Sequence, residues 1–254
     1  MILAIDMGNS NIVLGAIDDK QSYFVERITT NHNKTEMEYA ITIKNALEIH
    51  QIDPSDLEGA ILSSVVPPLT NVILAAVEKV CGFRPLLVGA GMKTGMNIRM
   101  DNPKTVGADL IVDSVAAAHD YPLPLIVIDM GTATTVTVVD PSGDYIGGVI
   151  LPGMRVSLDS LSGKAAQLPY ISLEKPERII GKNTIDSMRA GIVYGNAAML
   201  DGLLDRMEEE LGYRTTVVAT GGLAGLVTPL CKREIIYRDD LMLRGLWLLY
   251  RKNR

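Results

Sequence analysis

One short pattern occurs twice in this chain, half a chain-length apart. The segment AIDMGNSNIVLGAID, starting at Ala4, aligns with VIDMGTATTVTVVD, starting at Val127, at an offset of 123 residues. Asp6 falls on Asp129, Met7 on Met130, Gly8 on Gly131 and Val13 on Val136. Each copy ends a buried apolar run with an aspartate, turns at a glycine, continues through hydroxyl or amide residues, and enters a second β-rich run. A single strand–Asp–Gly turn is common in α/β proteins. Two copies at this spacing, each followed by further strands, point to a duplicated fold. Length alone leaves 254 residues open between one large domain and two small ones. The repeat resolves it into two halves, 1–118 and 119–254, joined near 118–123.

The hydrophobic pattern supports the same division. Short apolar or β-branched runs at 2–6, 12–17, 23–29, 59–66 and 85–88 read as strands. Between them, Tyr39, Ile43 and Leu47 recur at helical spacing behind Thr35, a suitable cap, and Pro67-Pro68 opens a second helix. The second half restarts with strands at 124–129, TTVTVVD and YIGGVI, then helices at 152–165 and 183–211, a strand at 215–220 and a helix over 239–252. In that last helix Leu241, Leu246, Trp247 and Leu249 are read as core.

A hairpin tip made of glycine and small polar residues exposes backbone N–H groups that can hold phosphate oxygens. An aspartate at the strand end suits Mg²⁺, which takes a few carboxylates together with phosphate and water. The turn ATGG at 219–222 adds a place where backbone can approach a nucleoside closely. Other phosphate motifs fail on inspection. Gly181-Lys182-Asn183-Thr184 lacks both the leading glycine and the Lys–Ser/Thr adjacency of a P-loop, and Gly89-Ala90-Gly91 is followed by Thr94 where a dinucleotide fingerprint needs glycine. His32, His50 and His119 stand apart, and the two cysteines, Cys81 and Cys231, have no metal spacing, which fits a reducing cytoplasm. A net charge of −6 and only two Phe and one Trp argue against nucleic-acid binding. Asp6 interrupts the N-terminal apolar run, so no signal peptide is expected, and Pro67-Pro68 breaks the longest uncharged stretch, so neither is a membrane span.

Paired Asp-Gly hairpins resemble the acetate kinase–sugar kinase–Hsp70–actin superfamily. Within it, DMGNSN, KTEMEY (34–39), SSVVPP (63–68), KTG with DNPKTVGAD (93–109), IDMGTATT (128–135), GGVILPG (147–153), GKNT (181–184) and ATGG (219–222) are similar, in order, to type III pantothenate kinase. The resemblance spans essentially the whole chain. It implies a duplicated ribonuclease H-like (actin-like ATPase) α/β fold, two βββαβαβ-type domains around a nucleotide cleft. It implies ATP-dependent phosphorylation of pantothenate, the first step of coenzyme A biosynthesis, by a cytoplasmic homodimer. Asp6, Met7, Gly8, Asn9, Ser10, Asn11, Ile12 and Val13 would form the ATP phosphate loop, with Asp6 near Mg²⁺. Thr132 would contact phosphate, and Gly221 and Gly222 the adenosine side. Asp129 would hold the monovalent cation, K⁺ or NH₄⁺, and Asp109 would be the general base. Met100, Gly107, Ala108, Asp109, Leu110 and Thr184 would line the pantothenate site, to which both chains of the homodimer would contribute.

Two positions depart from the family pattern. Leu110 stands where GADR has an arginine, and Met100 where a tyrosine precedes the x-N-P segment. Three functions therefore stay open on sequence: a pantothenate kinase using another cation, Arg99 being nearest; a kinase for a related acceptor; or a nucleotide-binding paralogue without turnover. Asp109 also has a plain alternative as a solvated helix aspartate, and for Asp113, one turn on, that reading is favoured. Thr184 could equally cap the helix that follows it.

Overall fold

A computed structural model describes residues 1–254. It divides into two compact units, Met1–His119 with Asp240–Arg254, and Asp120–Asp239. In the first unit, β1 (Ile2–Met7), β2 (Asn11–Ile17) and β3 (Ser22–Thr29) form an antiparallel meander. Helix α1 (Glu36–Ile49) leads to β4 (Ala60–Ser64), and α2 (Pro67–Cys81) leads to the short β5 (Leu86–Leu87). β4 and β5 add in parallel, giving the order β3-β2-β1-β4-β5. Helix α3 (Ala108–Asp120) follows.

The second unit repeats this order. β6 (Leu125–Met130), β7 (Ala133–Val139) and β8 (Tyr145–Pro152) form the meander. Two helices, α4 (Met154–Lys164) and α5 (Thr184–Leu211), precede β9 (Thr216–Thr220). A one-turn helix, α6 (Ala224–Val227), leads to β10 (Ile236–Tyr237), and the sheet order is β10-β9-β6-β7-β8. Helix α7 (Leu241–Asn253) closes the chain.

Local chemistry accounts for the helix starts. Thr35 caps α1 in a reciprocal box with Glu38, whose carboxylate accepts from the Thr35 N–H at 2.8 Å. Pro67-Pro68 occupies the first turn of α2, where no intrahelical N–H is needed. At α5 the cap is Asn183, whose side chain accepts from the Asp186 N–H at 2.9 Å. Thr184 is therefore the first helical residue, not the cap.

The central strands β1, β4, β6 and β9 are buried on both faces, as parallel neighbours require, while the edge strands β3 and β8 expose alternate residues. In the first sheet Leu3, Ile5, Met7, Ala60 and Leu62 pack against α1 and α2. Ile2, Ala4, Ile17 and Ile61 point the other way, onto Leu243, Leu246, Leu249 and Tyr250 of α7 and Val112 of α3. This corrects the division by halves. The segment 240–254, placed with the second domain by a 119–254 boundary, belongs to the first unit, because the second face of that sheet needs an apolar cover. The leucines of α7 are core, as their spacing suggested.

The second unit carries a charged clamp. Glu208, near the end of α5, is 6% exposed. Its carboxylate accepts from Arg233 at 2.8 and 2.9 Å, from Arg214 at 2.7 Å, and from the Thr215 N–H at 2.8 Å. Arg233 first, with Thr215 and Arg214, pulls the Glu208 pKa down to about 2, against its burial. Cys81 and Cys231 are free thiols, pushed up by burial to about 11 and about 12. No helix is long and apolar enough to cross a membrane.

Candidate active site

The first hairpin tip joins β1 to β2. Met7 pairs with Ile12, so four residues, Gly8 to Asn11, make the turn, closed by the Gly8 N–H donating to Asn11 O at 3.0 Å. Asn9, Ser10 and Asn11 are exposed. Thr30, the first residue after β3, pins the tip. Its hydroxyl donates to Gly8 O at 2.7 Å and its N–H to Ser10 O at 3.0 Å. Met7 and Ile12 have their side chains in the core with α1 and α2, so each can offer a ligand only backbone. Asp6, half-buried, sits in register between Val13 on β2 and Ser63 on β4.

The second tip is one residue shorter. Met130 pairs with Thr134, leaving Gly131, Thr132 and Ala133 in the turn. The Gly131 N–H donates to Ala133 O, and the N–H of Gly153, the first residue after β8, donates to Thr132 O, both at 3.0 Å. The ungapped alignment therefore slips by one after the turn. The residue opposite Asp129 is Thr135, as Val13 is opposite Asp6, and Val136 is not the structural match of Val13. Asp129 stands between Thr135 and Thr220 of β9. Gly221 brings the ATGG turn against this strand end. Its φ is +95°, and a Cβ there would lie 2.5 Å from Met130 N and 2.6 Å from an Asp129 carboxylate oxygen. Only glycine fits both constraints.

Asp109 opens α3. Its carboxylate folds back on the helix start and accepts the Leu110 N–H at 2.9 Å. A Cβ on Gly107 would strike the same oxygen, so the glycine leaves room for this pose. Burial pushes the Asp109 pKa up, and the Leu110 N–H offsets part of that. A partly desolvated carboxylate with a raised pKa is better suited to taking a proton than a solvated one. Asp109 is not a solvated helix aspartate, and Asp113, read as one, is only 2% exposed. Both lie on a helix with buried residues on several sides, Ile111, Val112, Ala116 and Ala117 among them.

The loop leading to Asp109 is held by the end of α7. Asn253 pairs with Lys93 as a backbone would, accepting its N–H at 2.8 Å and donating to its carbonyl at 2.9 Å. Lys252 donates to Thr94 O at 3.1 Å. The KTG motif at 93–95 is thus where the last helix docks. Met100 and Leu110 follow in the same segment, Met100 at the surface.

The sequence matches the profile of the type III pantothenate kinase family over residues 2–206. A type III pantothenate kinase of Moorella thermoacetica is 44% identical over 255 residues, covering all of both chains. The chain belongs to the type III pantothenate kinase family. Among solved structures, component A of the (R)-2-hydroxyglutaryl-CoA dehydratase of Acidaminococcus fermentans superposes with a TM-score of 0.56 at 17% identity, over 98% of this chain and 96% of that one. A ROK hexokinase of Thermus thermophilus gives 0.54 at 14% identity, over 98% and 97%. These two likenesses concern the fold, which is the duplicated actin-like ATPase and sugar kinase architecture that the family resemblance implies.

In this kinase the elements gather the expected residues into separate groups within each unit. Asp6 to Val13 form one tip, and Asp109 with Gly107, Ala108 and Leu110 form the start of α3. In the second unit Asp129, Gly221 and Gly222 share one strand end, beside Thr132 at the tip. Thr184 stands elsewhere in that unit, at the start of α5. It lines two open grooves of about 810 and 850 Å³ with Leu168 and Asn183. Sequence reasoning missed Thr30 and Asn253, and it gave no separate role to Gly153, the last residue of GGVILPG. For Thr30 and Gly153 the signal was their place, directly after the third strand of each meander.

Proposed function

We propose that this pantothenate kinase uses Asp109 as its general base and divides the remaining work between its two hairpin tips. The carboxylate takes the proton of the pantothenate hydroxyl. The oxygen attacks the γ-phosphorus of ATP, the bond to the β–γ bridging oxygen breaks, and ADP leaves with 4′-phosphopantothenate as product. This transfer asks mainly for placement and charge neutralisation. The observation that carries the reading is Asp109 itself, desolvated, raised in pKa and given room by Gly107.

The exposed first tip supports a phosphate-holding role for Gly8 to Asn11, with Asp6 as the carboxylate for Mg²⁺. The strand end fits that ion: Asp6 supplies the carboxylate, and on the adjacent strand stands a buried hydroxyl, Ser63, that has no hydrogen-bond partner of its own and can hold that carboxylate. When bound, Mg²⁺ supplies charge neutralisation at the phosphates. Asp129, flanked by Thr135 and Thr220, is a carboxylate among neutral hydroxyls, and that set fits a monovalent cation, K⁺ or NH₄⁺. Thr132 is assigned to phosphate, and Gly221 and Gly222 to the adenosine. A homodimer is supported by large apolar side chains exposed in the second unit, Tyr170, Ile179 and Ile180 among them, near the grooves at Thr184. That dimer would bring Thr184 to the partner's pantothenate, in the cytoplasm, where ATP is supplied.

Steady-state turnover of ATP with pantothenate, Mg²⁺ and K⁺ tests the assignment, with Asp109→Asn as the decisive variant. Turnover lost in that variant with ATP binding kept is the expected result. Retained turnover rejects Asp109 as the base. A second reading, an acceptor lacking the carboxylate, is favoured by the apolar Leu110 beside the base. The uncharged alcohol analogue of pantothenate, compared with pantothenate in the parent and in Leu110→Arg, separates the two. A charge-assisted hydrogen bond gained by Leu110→Arg lowers the pantothenate KM by about 10–100-fold if pantothenate is the acceptor.

A further inference from the structure

The SSVVPP segment contains two adjacent serines with different fates. Ser64 faces α2 and is fully used. Its Oγ accepts from the Val66 N–H at 3.2 Å and shares a hydrogen bond of 2.8 Å with Thr70 Oγ1. Ser63 faces the other way. It is 0% exposed, and its Oγ has no hydrogen-bond partner. A buried hydroxyl left without a partner costs stability, so its retention at this place calls for a use.

The register locates that use. Ser63 pairs with Asp6 across the parallel β1–β4 ladder. Register partners on neighbouring strands, about 4.8 Å apart, point their side chains to the same face. The packing agrees. Leu3, Ile5 and Met7 share the α1–α2 face with Ala60 and Leu62, whereas Ile2, Ala4 and Ile61 share the opposite one. Alternation puts Asp6 and Ser63 together on that second face. The second unit repeats the arrangement, with Thr220 in register with Asp129. A strand-end carboxylate with a hydroxyl on the next parallel strand is thus built twice.

We infer that Ser63 is a positioning residue for Asp6. When the Mg²⁺–phosphate end of the nucleotide is bound, its hydroxyl donates to the Asp6 carboxylate and holds it toward the ligand. The inference rests on the reading that puts the nucleotide phosphates at the first tip. It gives the second position of the β4 row a role that packing does not.

Binding, not turnover, is the test. Calorimetry of the Mg²⁺ complex of a non-hydrolysable imido analogue of ATP is compared with adenosine alone, for the parent, Ser63→Ala and Asp6→Asn. Ser63→Ala is expected to weaken the Mg²⁺–nucleotide complex about tenfold, the size of one hydrogen bond to a charged group. It is also expected to raise the Mg²⁺ concentration needed for half-saturation, leave adenosine binding unchanged, and not lower the melting temperature of the free protein. Unchanged nucleotide affinity in Ser63→Ala, with Asp6→Asn weakened, overturns the role of Ser63 alone. Unchanged affinity in both overturns it together with the placement of the phosphates. Equal weakening of adenosine, or a free protein destabilised by several degrees, marks a structural hydroxyl and also overturns it. Should Ser63→Ala not fold, the near-isosteric Ser63→Cys carries the same comparison.

Discussion

The two hairpin tips occupy equivalent places in equivalent sheets, yet differ in length, fastening and chemistry. The first has four turn residues, is pinned through both the side chain and the backbone of Thr30, and places its aspartate between Val13 and Ser63. The second has three turn residues, is pinned through the backbone of Gly153 alone, and places its aspartate between two threonines. The longer, exposed tip offers more backbone N–H groups to an anion. The shorter one offers neutral oxygens around a single carboxylate. The frame is the same in both, and a one-residue difference in turn length with a few different residues along one row distinguishes the two tips to which phosphate and cation are proposed to bind.

The largest expected effect sharpens this contrast, because it falls on a group with no counterpart in the second unit. In the chain the helix that follows β10, as α3 follows β5, is α7, which lies in the first unit and has no carboxylate in its first turn. Asp109→Asn is expected to lower kcat by at least about a hundredfold in steady-state assays. Its melting temperature should not fall, since the change removes a charge that burial disfavours. In the parent, the acid limb of kcat/KM should lie above the ordinary carboxylate range, because the proposed base works unprotonated and burial raises its pKa.

The next effect belongs to the second unit alone. Glu208 has a folded pKa of about 2 against an ordinary 4.5. Its ionised form therefore adds stability that is complete above pH ~4.5 and lost as the pH falls toward 2. Linkage puts this at about 3 kcal/mol. Glu208→Gln should remove it at neutral pH and flatten the acid side of the melting-temperature profile. An unflattened profile would show that the acid-sensitive carboxylates lie elsewhere. Gly221→Ala comes next, at about 1–3 kcal/mol for a strained left-handed residue. It should weaken adenosine binding, measured by calorimetry, because the added Cβ presses on Asp129 and Met130. Smallest is Thr30→Val, which keeps the shape of the first tip's clamp and removes its hydroxyl. A loss of about 1 kcal/mol and a few-fold rise in KM for ATP are expected. No change in KM would mean that the backbone bond from Thr30 holds the tip by itself, as the Gly153 N–H does in the second unit.

Much of this was legible in the sequence. Runs such as LIVID and TTVTVVD can be little else than buried strands, and Thr35 with Glu38 announces the start of α1 in its own chemistry. What stayed hidden depends on contacts distant in sequence. The periodicity of 241–253 shows an apolar stripe but not which sheet it covers, and position in the chain alone puts α7 with the half that precedes it. The slip after Gly131 was invisible because Val13 and Val136 both look like strand residues, and only strand pairing distinguishes Thr135 as the true match. Ile236 and Tyr237 are too few to register as a strand. Asp113 reads as surface until the burial of its helix is known. At the site, the aspartates and glycines announce themselves by pattern, whereas the fastening residues Thr30, Gly153 and Asn253 act through one or two hydrogen bonds each, which leave no periodic trace.

The return of α7 to the first sheet also sets the order in which the chain can mature. As it leaves the ribosome, β1, β2 and β4 can pair early, but Ile2, Ala4, Ile17 and Ile61 stay without their leucine cover until residues 241–253 have been made. The second unit, continuous from Asp120 to Asp239, can finish first, although it is encoded later. The N-terminal sheet is therefore the last part to be sealed, and a nascent chain stalled before α7 presents an open apolar face, the kind of surface that chaperones hold and proteases find.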